Sequence, residues 1–276
     1  MFLVTAHLGK RVIDYIEGFG RFTYFCGSTW RWMFRDVRNW ARPSHILPLF
    51  YQIGARSVGV VLVVGTFIGM VMAIEAYSQF QAIGQEARMG GVIGVTVLKQ
   101  IGPVLAAVMI AGRVGGSVSA ELGTMRVTEQ LDAMRVMGTD PIAHLVVPRV
   151  VTCIIMLPVL TLLSDLMGVM GGYFISVHGY EINATSYWEF SARFVSEFDI
   201  ATGLIKSIFF GLAIGLIGCY KGFYCKSGAA GVGKAATESF VTSFLAIIVM
   251  NFFLAGFLSS VYYIIYGHSS LSAFRG

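Results

Sequence analysis

Five apolar stretches, each near or above the roughly 20 residues that a helix needs to cross hydrocarbon, leave this 276-residue chain few ways to fold. They lie at about 57–77, 90–112, 145–177, 201–220 and 240–266. The expected fold class is therefore an all-α polytopic membrane protein, organised as a single domain with no repeat or low-complexity linker dividing it. The third stretch holds 33 residues. As one straight helix it would measure about 50 Å against a hydrocarbon core of about 30 Å, so it should tilt, extend into solvent or break near Pro158. A basic N-terminus on the inside, followed by five spans, places the C-terminus outside.

Composition supports the membrane reading. Hydrophobic residues make up 56% of the chain and charged residues only 13%, about half the charged share of a soluble domain. The 33 glycines suit close helix packing in lipid. The net charge of +5 could suggest nucleic acid, but its distribution argues against that. Residues 1–56 hold eight Lys/Arg against three acids, and 221–234 hold three lysines and no acid. By contrast, 178–199 hold Arg193 against Glu181, Glu189, Glu197 and Asp199. That asymmetry is the positive-inside bias of a membrane protein. Residues 9–44 mix arginines with Tyr15, Phe19, Phe22, Tyr24, Phe25, Trp30, Trp32, Phe34 and Trp40, which is the composition of one or two interfacial amphipathic helices. Arg42-Pro43 and Pro48 mark the bend into the membrane. The residues at 2–8 are too few and too broken for a signal peptide.

Several motifs carry less than they first suggest. GAAGVGKA at 228–235 fits a phosphate-binding loop up to its last position, but Ala235 stands where a hydroxyl must reach Mg²⁺, and no strand precedes it. The four cysteines show no CxxC spacing, and His7, His45, His144, His178 and His268 are scattered across ends and loops. Catalytic signatures are missing, so the chain is not expected to be an enzyme or to bind a cofactor itself. Asn183-Ala-Thr185 fits a glycosylation sequon only weakly. Glycines at 211, 215, 218 and 222 line one face of the fourth stretch, and the pairs 65/69, 112/116 and 168/172 share small-xxx-small spacing. Packing within the chain or a dimer contact would both use such faces.

Polar residues inside the apolar stretches are costly and point to a cavity or a partner. Lys99 and Gln100 fall mid-stretch, just before Gly102-Pro103, and suit either a substrate path or an internal pair. Asp165 is expected to make a structural hydrogen bond or ion pair. Glu75 and Lys206, near stretch ends, are expected to reach headgroups.

One polar run interrupts the apolar pattern: AELGTMRVTEQLDAMRVMGTDP at 120–141. Val127, Leu131 and Met134 share a helical face, with Glu129, Asp132 and Arg135 elsewhere, and Gly138 and Pro141 are stop signals. The expectation is a short amphipathic helix on the cytoplasmic side, either resting on the membrane or docking a partner.

The residues themselves carry a resemblance. GTFIGM at 65–70, GPVLAA at 102–107, AGRVG at 111–115, the block at 120–134, Asp140-Pro141, Pro148-Arg149 and GAAGVGKAAT at 228–237 together resemble the MlaE-type (YrbE-type) permeases. The likeness covers roughly 45–265, and its specific part is 121–134. These are membrane subunits of ABC transporters that move phospholipids together with mammalian-cell-entry (MCE) domain proteins. The resemblance implies a homodimer on separate ATPase subunits, which would bind the ATP and Mg²⁺. It also implies an MCE-domain partner on the outer side and a bacterial inner-membrane location with the N-terminus cytoplasmic. The segment 121–137 would be the coupling helix, with Glu121, Arg126, Glu129, Gln130, Asp132 and Met134 as docking candidates. Lipid would sit in an outward-open cavity at the dimer interface, lined by the first, second and fifth stretches. Met70, Glu75, Tyr77, Leu98, Lys99 and Gln100 are its contact candidates by position. The family often carries a basic-acidic pair at 99–100, whereas Gln100 is neutral here and Glu75 could supply a carboxylate instead. The rival readings are an ATP-independent channel or secondary transporter, and a membrane-embedded lipid-modifying enzyme.

Overall fold

The computed structural model describes residues 2–266, and every regular element among them is helical. His7 and His268 fall outside the described side chains. The N-terminal helix is continuous over Phe2–Arg35, a single helix where one or two were expected. A turn at Val37–Trp40 follows, closed by Trp40 Nε1–H donating to the Met33 carbonyl at 2.9 Å. Arg42 is extended, with φ −62° and ψ 130°, because the ring of Pro43 disfavours helical backbone before it. Pro43 then opens the next helix, where its missing N–H costs nothing. Ile13, Ile16, Phe19, Tyr24, Trp30 and Phe34 are exposed, while Phe25 and Thr29 are buried. The N-terminal helix thus has one face packed on the protein and an aromatic face turned outward.

Among the described residues, five helices are long and apolar enough to cross a membrane. They are Pro43–Gln81, Glu86–Val127, Ile142–Gly179 and Glu197–Phe223, and the last runs over Ala229–Tyr266. We number them spans one to five. They form a bundle with a basic end, which carries the N-terminal helix and the 221–234 lysines, and an acidic end at 178–199. Span three is central, with 61% of its apolar window buried, against 28% for span one and 17% for span five. Of the outcomes open to the third stretch, a break is not the one realised. Pro158 lies inside an unbroken helix over Val147–Phe174, and the surplus length forms wider turns at Ile142–Val146 and Ile175–Gly179.

The glycine spacings of spans one, three and four are packing devices within the chain. A Cβ on Gly65 would lie 2.6 Å from the Ser164 carbonyl oxygen, and one on Gly69 would overlap the Gly168 carbonyl, so the backbones of spans one and three touch. Across span four, Gly215 meets Val150 of span three, and Gly222 meets the Ser119 carbonyl of span two, each at a Cβ distance of 3.0 Å or less. In lipid, where no apolar surface is removed from water when helices meet, such close approach supplies the packing that holds a bundle together.

One element escaped the sequence reading. Ala184–Phe194 is an amphipathic helix at the acidic end, begun by Asn183, whose Oδ1 accepts from the Thr185 and Ser186 N–H groups. The sequon triplet is therefore a helix cap. This helix lies over the start of span two, where a Cβ on Gly90 would sit 2.6 Å from the Tyr187 carbonyl oxygen.

Candidate functional site

A proline sets up the first site. Pro103 has no N–H to bond the carbonyl one turn earlier, and span two adopts a widened turn over Val97–Ile101 just before it. The Lys99 carbonyl is thus left open in the middle of a bundle. Lys206 of span four fills that vacancy: its Nζ donates to the Lys99 carbonyl at 3.1 Å and also to Gln100 Oε1. Lys206 is only 1% exposed. This corrects the expectation that it reaches headgroups, because two oxygens inside the bundle hold the ammonium.

The Lys99 side chain goes elsewhere. Its Nζ lies 3.0 Å from Asp199 Oδ1 and 5.6 Å from the Tyr262 ring centroid. Asp199 is held in place by its own helix end. Its Oδ2 accepts from the Ser196 N–H and hydroxyl at 3.1 and 2.8 Å, closing a capping box at the start of span four. One carboxylate oxygen caps the helix while the other faces the lysine. Between spans two, four and five, Lys99 and Lys206 border a cleft of about 300 Å³, whose lining also includes Gln100, Thr202 and Ser259. The Thr202 hydroxyl is buried there without a hydrogen-bond partner among the described residues. Two ammonium groups and an open hydroxyl donor make a small cationic recess in an apolar bundle, with the Asp199 carboxylate paired to Lys99 outside its lining. That is a fit for an anionic group carrying several acceptor oxygens.

Of the six lipid-contact candidates, only Lys99 and Gln100 line this cleft. Leu98 contributes its backbone, with its carbonyl against Gly203 of span four. Met70 and Glu75 lie along span one, Glu75 exposed. Tyr77 stacks on Tyr180 at 3.7 Å with the rings 6° from parallel, in a small core with Ala73, Met89 and Ile93. The carboxylate facing Lys99 comes from Asp199, where Glu75 had been the candidate. Asp199, Thr202, Lys206 and Ser259 were not singled out beforehand as a group. The signal was there for three of them: residues 199, 202 and 206 are three and seven apart, on one helical face just after a Ser-x-x-Asp cap. Asp165 is buried against Gly102 without an ion pair, and its Oδ1 has no hydrogen-bond partner among the described residues.

The polar run at the basic end has a different architecture from the single helix expected over 121–137. Span two continues to Val127, and a separate helix covers Gln130–Val136. The break falls at Glu129, whose φ of 60° is left-handed. Arg126 clasps the two pieces, with Nη1 at 3.1 and 2.8 Å from the two carboxylate oxygens of Asp132, and Arg135 adds a 2.9 Å bond to the same group. Leu131 is fully buried. Glu121 accepts from Arg149 at 2.7 Å. Gly138, with φ 76°, ends the helix as anticipated, its N–H bonding the Arg135 carbonyl and the Thr139 N–H the Met134 carbonyl. So Glu121, Arg126 and Asp132 are committed to internal pairs, and Met134 is half-buried. Glu129 and Gln130 point outward, joined by Val136 and Met137, which are 89% and 73% exposed. That exposed apolar pair was missed, since nothing in the periodicity marks two adjacent residues as protruding.

The segment 228–235 is not a phosphate-binding loop. No strand leads into it, and Gly228 instead opens the 38-residue helix of span five. Among the described residues no group of three His, Cys, Asp or Glu side chains could hold a metal ion.

Comparisons with known proteins agree with this architecture. The model of the permease MlaE family matches residues 46–257. A probable ABC transporter permease protein of Rickettsia conorii is 38% identical over 256 residues, covering 91% of this chain and 96% of the relative. One from Synechocystis is 45% identical over 204 residues, 74% of this chain and 78% of the relative. The intermembrane phospholipid transport system permease protein MlaE of Haemophilus influenzae is 30% identical over 256 residues, 91% and 95% of the two chains. With five apolar helices and a family match over most of its length, the chain belongs to the MlaE permease family.

Proposed function

We propose that this chain is the membrane permease of an ABC transporter that moves phospholipid between membranes, with the lipid phosphate held at the Lys99–Lys206 cleft. The observation that carries the reading is the convergence of two lysines from different spans on one recess, where Asp199 offers a carboxylate that a phosphate can replace. Acyl chains would lie along the apolar faces of spans one and five, the least buried in the bundle. Two copies would enclose the lipid, and the positive-inside bias supports a basic end facing the cytoplasm of a bacterial inner membrane. ATP and Mg²⁺ would belong to a separate ATPase docked on Glu129, Gln130, Val136 and Met137, and an MCE-domain protein would receive or deliver lipid at the acidic end. The relatives' printed names support the transporter class, and the Haemophilus relative's name supports the cargo.

The test is phospholipid content. Lys99→Ala removes one of the two cations, so lipid phosphorus co-purifying with the detergent-solubilised complex should fall several-fold while the amount of complex is unchanged. Unchanged lipid phosphorus would return Lys99 to a purely structural pairing with Asp199.

A further inference from the structure

The basic end carries a second charged recess, remote from the first. Arg21 of the N-terminal helix, Lys221 at the end of span four, Lys226 in the following loop and Lys234 in the first turns of span five border a cavity of about 330 Å³. Tyr220 and Tyr224 form its aromatic wall. Along span four, residues 206 and 221 are separated by about 22 Å of helix rise, so the two recesses cannot share one headgroup.

The glycine-rich segment resembling a nucleotide loop makes this geometry. Gly228 has φ 87°, a conformation that side chains resist. A Cβ on Gly231 would overlap the Lys226 carbonyl. The Gly231 and Val232 N–H groups both turn back to the Gly228 carbonyl, at 3.0 and 3.2 Å. The connection is therefore tight and brings Lys226 beside the base of span five, on the same cavity lining as Lys234.

Charge is unbalanced there. The lining holds four cations and one carboxylate, Glu238, which Lys221 and Lys234 already share at 3.0 and 3.9 Å. Glu17, off the lining, is 3.8 Å from Arg21. Counting it still leaves an excess of two positive charges. No described carboxylate pairs with Lys226. The surroundings define the depth. Tyr220 packs edge-on to Phe22 and Phe25, with ring centroids 5.1 and 5.6 Å away, and its hydroxyl donates to the Gly18 carbonyl at 3.4 Å. The same N-terminal helix turns Ile16, Phe19 and Tyr24 outward. Aromatic side chains beside cations, on a helix with an exposed apolar face, mark the headgroup layer. Basic recesses between membrane helices at that depth bind anionic headgroups.

We propose that this recess binds the phosphate of an anionic phospholipid in the leaflet at the basic end, a resident lipid that ties the N-terminal helix to spans four and five. It is separate from the transported lipid and does not depend on the transport reading. The shared chemistry is a phosphate ester between lysines and an arginine, and free phosphate is the rival source.

Native mass spectrometry of the intact detergent-solubilised protein, titrated with phosphatidylglycerol or phosphatidylcholine, tests it. Wild type should retain phosphatidylglycerol about tenfold more strongly than phosphatidylcholine. The triple variant Arg21→Gln, Lys226→Gln, Lys234→Gln should lose that preference, and Lys226→Arg with Lys234→Arg should keep it. Lys99→Ala should lower the total lipid retained yet keep that preference, which separates this recess from the transport cleft. The side chains of Arg21 and Lys234 are 57% and 68% exposed, so the triple variant should fold, and an unchanged melting temperature checks that. Equal preference in wild type and triple variant overturns the proposal. So does displacement of phosphatidylglycerol by equimolar inorganic phosphate, which would make the recess a soluble-phosphate site. Loss of a co-purifying protein from the triple variant with lipid preference intact would make it a protein-docking surface and overturn the proposal as well.

Discussion

Lys206 is held by a defect in a neighbouring helix. Pro103 withholds one N–H, the Lys99 carbonyl is left open, and the ammonium of Lys206 supplies the missing donor. Replacing Lys206 with methionine keeps the volume but leaves a buried carbonyl unpaired. Such a group costs about 1–3 kcal/mol, so Lys206→Met should lower the melting temperature of the solubilised protein. A variant as stable as wild type would show that the carbonyl finds another donor. Asp199 makes the opposite prediction. Asp199→Asn can still accept at the helix cap, yet it removes the charge that competes with lipid phosphate for Lys99. Retained phospholipid should rise several-fold, and a fall would mean that the carboxylate helps bind the lipid. At this scale the sequence was half legible. Lys99 and Gln100 stood out because polar residues in mid-membrane are expensive. Lys206 did not, because a lysine near the end of an apolar stretch reads equally well as one that snorkels, and only the Pro103 defect in another span decides between the two.

Among the elements, the run at 120–141 shows what periodicity reveals and what it hides. Its position between two spans and its stop at Gly138 were readable. The break at Glu129 was not, because a glutamate gives no sign of left-handed backbone. That break separates the Gln130–Val136 helix from span two, and the Arg126–Asp132 clasp ties the two pieces together. Glu129 itself points outward and makes no ion pair among the described residues. Glu129→Lys should therefore leave the melting temperature unchanged while reducing co-purification of the proposed ATPase partner several-fold. Full co-purification would move docking onto the Val136–Met137 pair alone. The Ala184–Phe194 helix was overlooked for a similar reason. Its aromatic sequence lies in an acidic stretch that reads as an outer loop, and the signal that it is covered lies in Gly90 and Gly91 of another element.

For the whole molecule, the five-helix architecture follows from hydropathy, and the close crossings follow from glycine spacing. Which glycine face packs inside the chain was open in the sequence and is answered by the backbone contacts of spans one, three and four. Those contacts consume the glycine-rich faces of spans one, three and four. Spans one and five keep apolar outer faces, with Val63, Phe67 and Val71 on one and Phe252, Phe253 and Phe257 on the other, available for lipid or a second copy. A phospholipid carrying a photoactivatable group beside its phosphate, cross-linked in the assembled complex and mapped by peptide sequencing, tests the central claim most directly. Adducts are expected at 95–100 and 202–206, and they should disappear from the Lys99→Ala, Lys206→Ala double variant. Adducts confined to other segments, or unaffected by the double variant, would contradict a headgroup site between spans two and four.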